Sequence, residues 1–134
     1  MSAALVLAVL AGNAAAAGPQ ATARKLLTTC EGAANSLPIV ALEANTPRVP
    51  KANRRAQDAF YVCGDNSPWL KLNLKSRALH QAYHAWDDLS SGLGDYLTYC
   101  EDVTFGRTDT SLLHDAQHDL TRAREEAKRA LAKL

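Results

Sequence analysis

From Leu72 onward the apolar residues of this chain return every three or four positions. Leu72, Leu79, Trp86, Leu93 and Cys100 occupy one seam, and Ala82, Leu89, Tyr96 and Val103 the other, with Lys75 the charged exception. Spacing of this kind, sustained over many turns, predicts a long amphipathic α-helix. Ser67 and Pro68 supply its start signals, and Gly106 falls just past its end. Its weak point is SSGLG, Ser90 to Gly94, where two glycines could bend or break it.

A last helix is predicted by the same rule. Leu113, Leu120, Ala127 and Leu134 form one seam, with Ala116, Ala123 and Ala130 the other. Asp109 is the expected N-cap, and acidic first turns with basic last turns suit the helix dipole. An earlier helix is expected from about Ala21, burying Leu26, Leu27, Cys30, Ala34 and Leu37; Pro38 must kink or interrupt it. A shorter one is expected from about Lys51 to Cys63, burying Ala52, Ala56, Ala59 and Phe60. Strand signals are nearly missing. The fold class is therefore all-α, an up-and-down four-helix bundle with one long third helix.

At 134 residues the chain is expected to form one domain, residues 18–134. Residues 1–17, MSAALVLAVLAGNAAAA, carry no charge and end in an Ala-x-Ala site before Gly18. They read as a signal-peptide-like or lumenal-targeting segment, although a basic leading region is missing. The run is too short and too rich in Ala and Gly for a membrane span. Export is expected, to a lumen, the periplasm or the outside.

Export makes one disulfide plausible among Cys30, Cys63 and Cys100. Around a turn near Arg48, an antiparallel helix pair brings Cys30 and Cys63 level. A helix running unbroken from Pro68 carries Cys100 roughly 45 Å away at ~1.5 Å per residue, far beyond disulfide reach. Cys30–Cys63 is the expected bond, and Cys100 a buried thiol acting as a small hydrophobe.

All four histidines lie in two copies of LHxAxH, Leu79–His84 and Leu113–His118. The heptads put His80 and His114 at one outward position, His84 and His118 at another. Each i, i+4 pair could grip a divalent transition metal, with Asp87 beside His84 and Asp115 or Asp119 beside the second pair. A dedicated zinc site needs three or four protein ligands. If the long helix is continuous, His80 and His114 stand roughly 28 Å apart along the bundle at ~1.5 Å per residue. Weak surface sites are the most these four residues are expected to provide.

No catalytic constellation emerges. No Ser, Cys or Thr has a histidine placed beside it by sequence, and the adjacent Asp87 and Asp88 diverge by about 100° on a helix. There is no phosphate-binding glycine loop and no Cys-x-x-Cys pair. A non-enzymatic protein without a cofactor is expected. Formal charge is only +1, which argues against a nucleic-acid binder, yet it conceals an asymmetry. From Arg48 to Arg77 there are seven basic residues against Asp58 and Asp65, and from Asp87 to Asp119 eight acidic ones against Arg107. After Leu120 the balance turns basic again. Antiparallel packing of the last two helices then stacks like on like, giving one basic and one acidic pole. Clustered charge steers association. The basic pole is expected to meet an acidic protein surface, with Lys71, Lys75, Arg124 and Lys128 the main contributors.

PWLKLNLKSRA, Pro68 to Ala78, resembles the segment that opens the second helix of the PsbQ family of extrinsic photosystem II proteins. Pro68, Trp69, Leu70, Lys71, Asn73, Leu74, Lys75 and Ala78 match the family's order of residue types, and RALAKL, Arg129 to Leu134, resembles the end of its last helix. The resemblance implies a thylakoid-lumenal four-helix subunit docking on a larger photosynthetic complex, peripheral to the membrane. ALHQAYHAWDDL, Ala78 to Leu89, and TYCEDVTF, Thr98 to Phe105, are also similar to plant invertase and pectin methylesterase inhibitors, which are secreted four-helix bundles. That likeness implies a secreted interaction bundle. A periplasmic metal-binding bundle is the third expectation, resting on the histidine pairs.

Overall fold

The computed structural model describes residues 18–134; the targeting expectation for residues 1–17 lies outside the described residues. Helix α1 spans Gly18–Asn35, α2 Arg48–Cys63, α3 the single turn Ser67–Leu70, α4 Arg77–Thr104 and α5 Thr110–Ala132. The described residues contain no strand. The four long helices pack on one another as a four-helix bundle.

Both predicted seams are buried. Along α4, Leu79, Ala82, Trp86, Leu89, Leu93, Tyr96, Cys100 and Val103 all face the core. So do Leu113, Ala116, Leu120, Ala123, Ala127 and Ala130 along α5. The alanine seam lets α5 lie close against α4. At Gly92 an added Cβ would stand 2.8 Å from Leu120 Cγ and 2.9 Å from its Cδ2. The helix runs unbroken through SSGLG. Gly92 stands where a neighbouring helix leaves no room for a side chain.

The turn into α5 is built as the sequence suggests. Gly106 takes φ 78, a left-handed conformation natural only to glycine, just past the end of α4. Asp109 caps α5 by accepting from Ser111 N–H at 2.9 Å.

The bounds of three expected helices are corrected. The third helix begins at Arg77, not at Pro68: Ser67–Leu70 forms one turn and a link, Lys71 to Ser76, follows. Trp69 explains the break. It is fully buried, with its ring 5.7 Å from Tyr83 and 5.9 Å from Trp86 between centroids. On one straight helix residues 69 and 86 would stand roughly 25 Å apart at ~1.5 Å per residue, so the chain must turn back to seat this indole. The first helix begins at Gly18 and stops at Asn35, ahead of Pro38, because a proline drives its predecessor out of the α region. The second begins at Arg48, and Pro50 is tolerated because it sits within the first turn.

Between α1 and α2 the chain runs extended along the bundle. Side chains hold this arm in place. Leu42 N–H donates to Tyr99 Oη at 2.9 Å, and Tyr96 Oη donates to the Val40 carbonyl at 3.1 Å. Gln117 Nε2 donates to the Ile39 carbonyl at 3.1 Å. The arm thus continues the course of α1, and α2 returns antiparallel to it. Cys30 and Cys63 come level and are joined, with Cα atoms 4.4 Å apart. Cys100 is a buried free thiol, as expected.

Candidate functional site

The register of α4 against α5 decides the fate of the histidines. Lys133 Nζ donates to Gln81 Oε1 at 3.2 Å, which sets the end of α5 beside the start of α4. His80 lies level with the last residues of the chain, whereas His114 lies at the opposite end of the hairpin. No single site can gather all four histidines. All four are exposed. The rings of His80 and His84 sit edge to face, 4.5 Å between centroids, and His118 Nδ1 lies 3.7 Å from Asp119 Oδ1. Among the described residues no three His, Cys, Asp or Glu side chains are arranged to hold a metal ion. The third ligands expected from Asp87, Asp115 or Asp119 are therefore not supplied.

The carboxylates gather elsewhere. Asp88, Asp119 and Glu126 line a shallow hollow between α4 and α5 together with Arg122. Glu126 is held above the ordinary carboxylate range, first by its hydrogen bond with Asp88 and then by partial burial. Asp95 is raised by burial and by the nearby charges of Asp119 and Asp115. Burial pushes the Cys100 thiol up to about 11, so it stays protonated near neutral pH and is a poor nucleophile. Burial likewise lifts Tyr96 to about 12, in keeping with its role as a hydrogen-bond donor to the arm.

The charge poles are corrected in one respect. Lys71, Lys75, Arg77, Lys128, Arg129 and Lys133 do share one end of the bundle, where α4 begins and α5 finishes. The other end is mixed rather than acidic. Because α2 runs antiparallel to α4, it delivers Arg48, Lys51, Arg54 and Arg55 to the end that holds Glu101, Asp102, Asp109 and Asp115. Helix direction, not sequence proximity, sorts the charges.

The four expected partner-binding residues divide. Lys71 and Lys75 lie exposed in the link that leads into α4. Lys128 is exposed and only loosely paired, 3.7 Å from Glu125 Oε1, an arrangement that contributes little. Arg124 is turned inward. It is half-buried and donates to the Ala34 carbonyl at 2.9 Å, closing the C-terminal end of α1. Its guanidinium is thus committed to the fold, because position 124 flanks the seam residues Leu120 and Ala127 that face α1.

Beside Lys71 and Lys75 lies a feature that residue spacing did not reveal. Of the five large apolar side chains left exposed among the described residues, three fall in the short stretch from the end of α2 to the end of α3: Tyr61 at 73 %, Leu70 at 63 % and Val62 at 51 %. Tyr61 and Val62 end α2 next to the disulfide, and Leu70 ends α3. The only available signal was negative: the YV pair falls off the apolar seam of α2, while Ala59 and Cys63 stay on it. The end of α2 at this corner is anchored by the Cys30–Cys63 bond and by Trp86 Nε1 donating to the Cys63 carbonyl at 3.0 Å.

No protein-family model, no curated protein and no solved structure matches this chain. No helix among the described residues is long and apolar enough to cross a membrane.

Proposed function

We propose that this protein is an exported, non-enzymatic interaction bundle that docks by the α2–α3 corner on an acidic surface of a larger protein assembly. The observation that carries the reading is that Tyr61, Val62 and Leu70 are left exposed in the stretch of chain that leads directly into the exposed cations Lys71, Lys75 and Arg77. Large apolar groups left in water close to one another in the chain are candidates for an interaction surface. Aromatic anchors ringed by charge are the common composition of a binding hot spot. The disulfide supports an oxidising compartment. The resemblance of Pro68–Ala78 to the PsbQ segment makes photosystem II the first assembly to try, and a thylakoid lumen the first compartment. Here, though, that segment forms a single turn and a link rather than the opening of a long helix.

The test is rebinding to salt-washed membranes of the source organism. Wild-type protein should rebind, with affinity that falls as salt is added. Lys71→Glu combined with Lys75→Glu should weaken binding about tenfold or more and flatten the salt dependence, with helix content held. Equal affinity of the two proteins at low salt would rule the corner out as the docking surface.

A further inference from the structure

At the other end of α2 the extended arm and the helix leave a cleft between them. Leu37, Pro38, Val40 and Leu42 from the arm, with Ala52 and Tyr96, give it an apolar lining; Arg48, Lys51 and Arg55 stand along the α2 side. Its volume is about 260 Å³. Taking ~30 Å³ for each small group, as in a liquid, that is room for about eight or nine non-hydrogen groups. The cleft is built on held backbone rather than on a loose loop, because Tyr96 and Tyr99 both hydrogen-bond the arm. Val40 is 42 % exposed, one of the few large apolar side chains the fold leaves in water, and it lies on this lining.

The cations are the second, independent observation. Among the described residues neither Arg48, Lys51 nor Arg55 pairs with a carboxylate, although acidic residues are plentiful at this end of the bundle. They recur every three or four residues and therefore occupy one face of α2, the face that borders the cleft. Three like charges side by side repel one another, so packing alone gives no reason to gather them. An apolar floor beside unpaired cations is complementary to one kind of molecule: a short apolar body with an anionic head.

We propose that this cleft binds a small organic carboxylate with an acyl or aryl body, its head held by Arg48, Lys51 and Arg55 and its body laid against Val40, Leu42, Ala52 and Tyr96. The site stands at the opposite end of α2 from the docking corner, so it does not depend on the function proposed above. A guanidinium can bind a carboxylate bidentately, and the lysine adds charge without fixing geometry. Chain length is limited by the floor: a body of about five or six carbons fills the volume, and a longer one must project into solvent.

Titration of the full, disulfide-bonded chain with hexanoate, followed by backbone amide NMR, tests this directly. Hexanoate should give saturable shifts confined to residues 37–42 and 48–55 and to Tyr96. Hexanol, which lacks the charge, and acetate, which lacks the body, should each bind about tenfold more weakly or worse. Arg48→Gln with Lys51→Gln and Arg55→Gln should abolish saturation. If the triple variant misfolds, Arg55→Gln alone, at an exposed helix position, should weaken hexanoate about tenfold. Non-saturable or scattered shifts, equal binding of hexanoate and acetate, or a glutamate-rich peptide shifting these residues where hexanoate does not, would each overturn the proposal.

Discussion

The two halves of this bundle are held together by different means. In the α4–α5 hairpin, stability is spread along a repeating seam: alanines bring the helices close, leucines and aromatics fill the groove, and Gly92 admits Leu120. The α1–α2 half carries shorter seams, Ala23, Leu27, Cys30 and Ala34 on α1 and Val49, Ala56, Ala59 and Cys63 on α2, with no large aromatic among them. Its helices are shorter and joined by an extended arm. It relies on a few discrete ties: one disulfide, two tyrosine hydroxyls, Gln117 and the Arg124 guanidinium. A distributed seam tolerates most single changes in proportion to the atoms removed. A tied segment fails where its tie is cut. Both features with a binding character, the apolar corner and the cationic cleft, are in the tied half, where backbone is fixed without being covered.

Cutting the disulfide should have the largest effect. Cys30→Ala with Cys63→Ala should cost about 3 to 4 kcal/mol, as the chain-entropy account gives for a loop of this separation. Urea unfolding measures it. Amide protection along α4 should fall less than that along α1 and α2, and equal loss in both halves would erase the distinction drawn here.

Within the seam, Gly92→Ala should destabilise by about 1 to 3 kcal/mol, because Leu120 must move to admit the methyl group. Gly94→Ala is its control. A Cβ there meets Phe60 at 3.4 Å, an ordinary contact, so better helix propensity should make that change neutral or stabilising by up to ~1 kcal/mol. If Gly92→Ala were also neutral, close approach would not be the reason the seam needs glycine.

A smaller effect separates the two tyrosine ties. Tyr99→Phe leaves the buried Leu42 N–H without its acceptor and should cost about 1 to 2 kcal/mol. The Tyr96 bond is only part-buried, so Tyr96→Phe should cost less. Faster hydrogen exchange at Leu42 in the Tyr99 variant, with α5 unchanged, would confirm that the hydroxyl holds the arm.

The smallest effect is in the α4–α5 hollow. Because the folded-state pKa of Glu126 is raised, its protonated form stabilises the fold at low pH, and that contribution is lost as pH rises through the folded value. Glu126→Gln should therefore gain a few tenths of a kcal/mol near neutral pH. The gain should fade as pH falls below about 4. A gain that persists in acid would point to packing instead of charge.

The contrast between the halves also explains how much could be read from the sequence. Periodic burial is written directly into residue spacing, so the seams, the Asp109 cap, the outward histidines and the Cys30–Cys63 pair were legible. The ties were not. Tyr96 and Tyr99 look like core aromatics, and nothing in their spacing announces hydroxyls bonded to a distant arm. Arg124 looks like one more surface cation until α1 ends beside it. Lys75 and Leu72 were drawn into a heptad that begins only at Arg77, because the burial of Trp69 against Trp86 is a tertiary event. The cleft at Arg48, Lys51 and Arg55 needed both the arm and the direction of α2.

If the corner docks, lysine reactivity should record it. Acetylation footprinting of the protein, free and rebound to salt-washed source membranes, compares one end of the bundle with the other in a single experiment. Lys71 and Lys75 should lose reactivity on binding, while Lys51, at the far end of α2, should keep it. Protection of Lys51 without Lys71 and Lys75, or no protection at any of the three, would contradict docking through the α2–α3 corner.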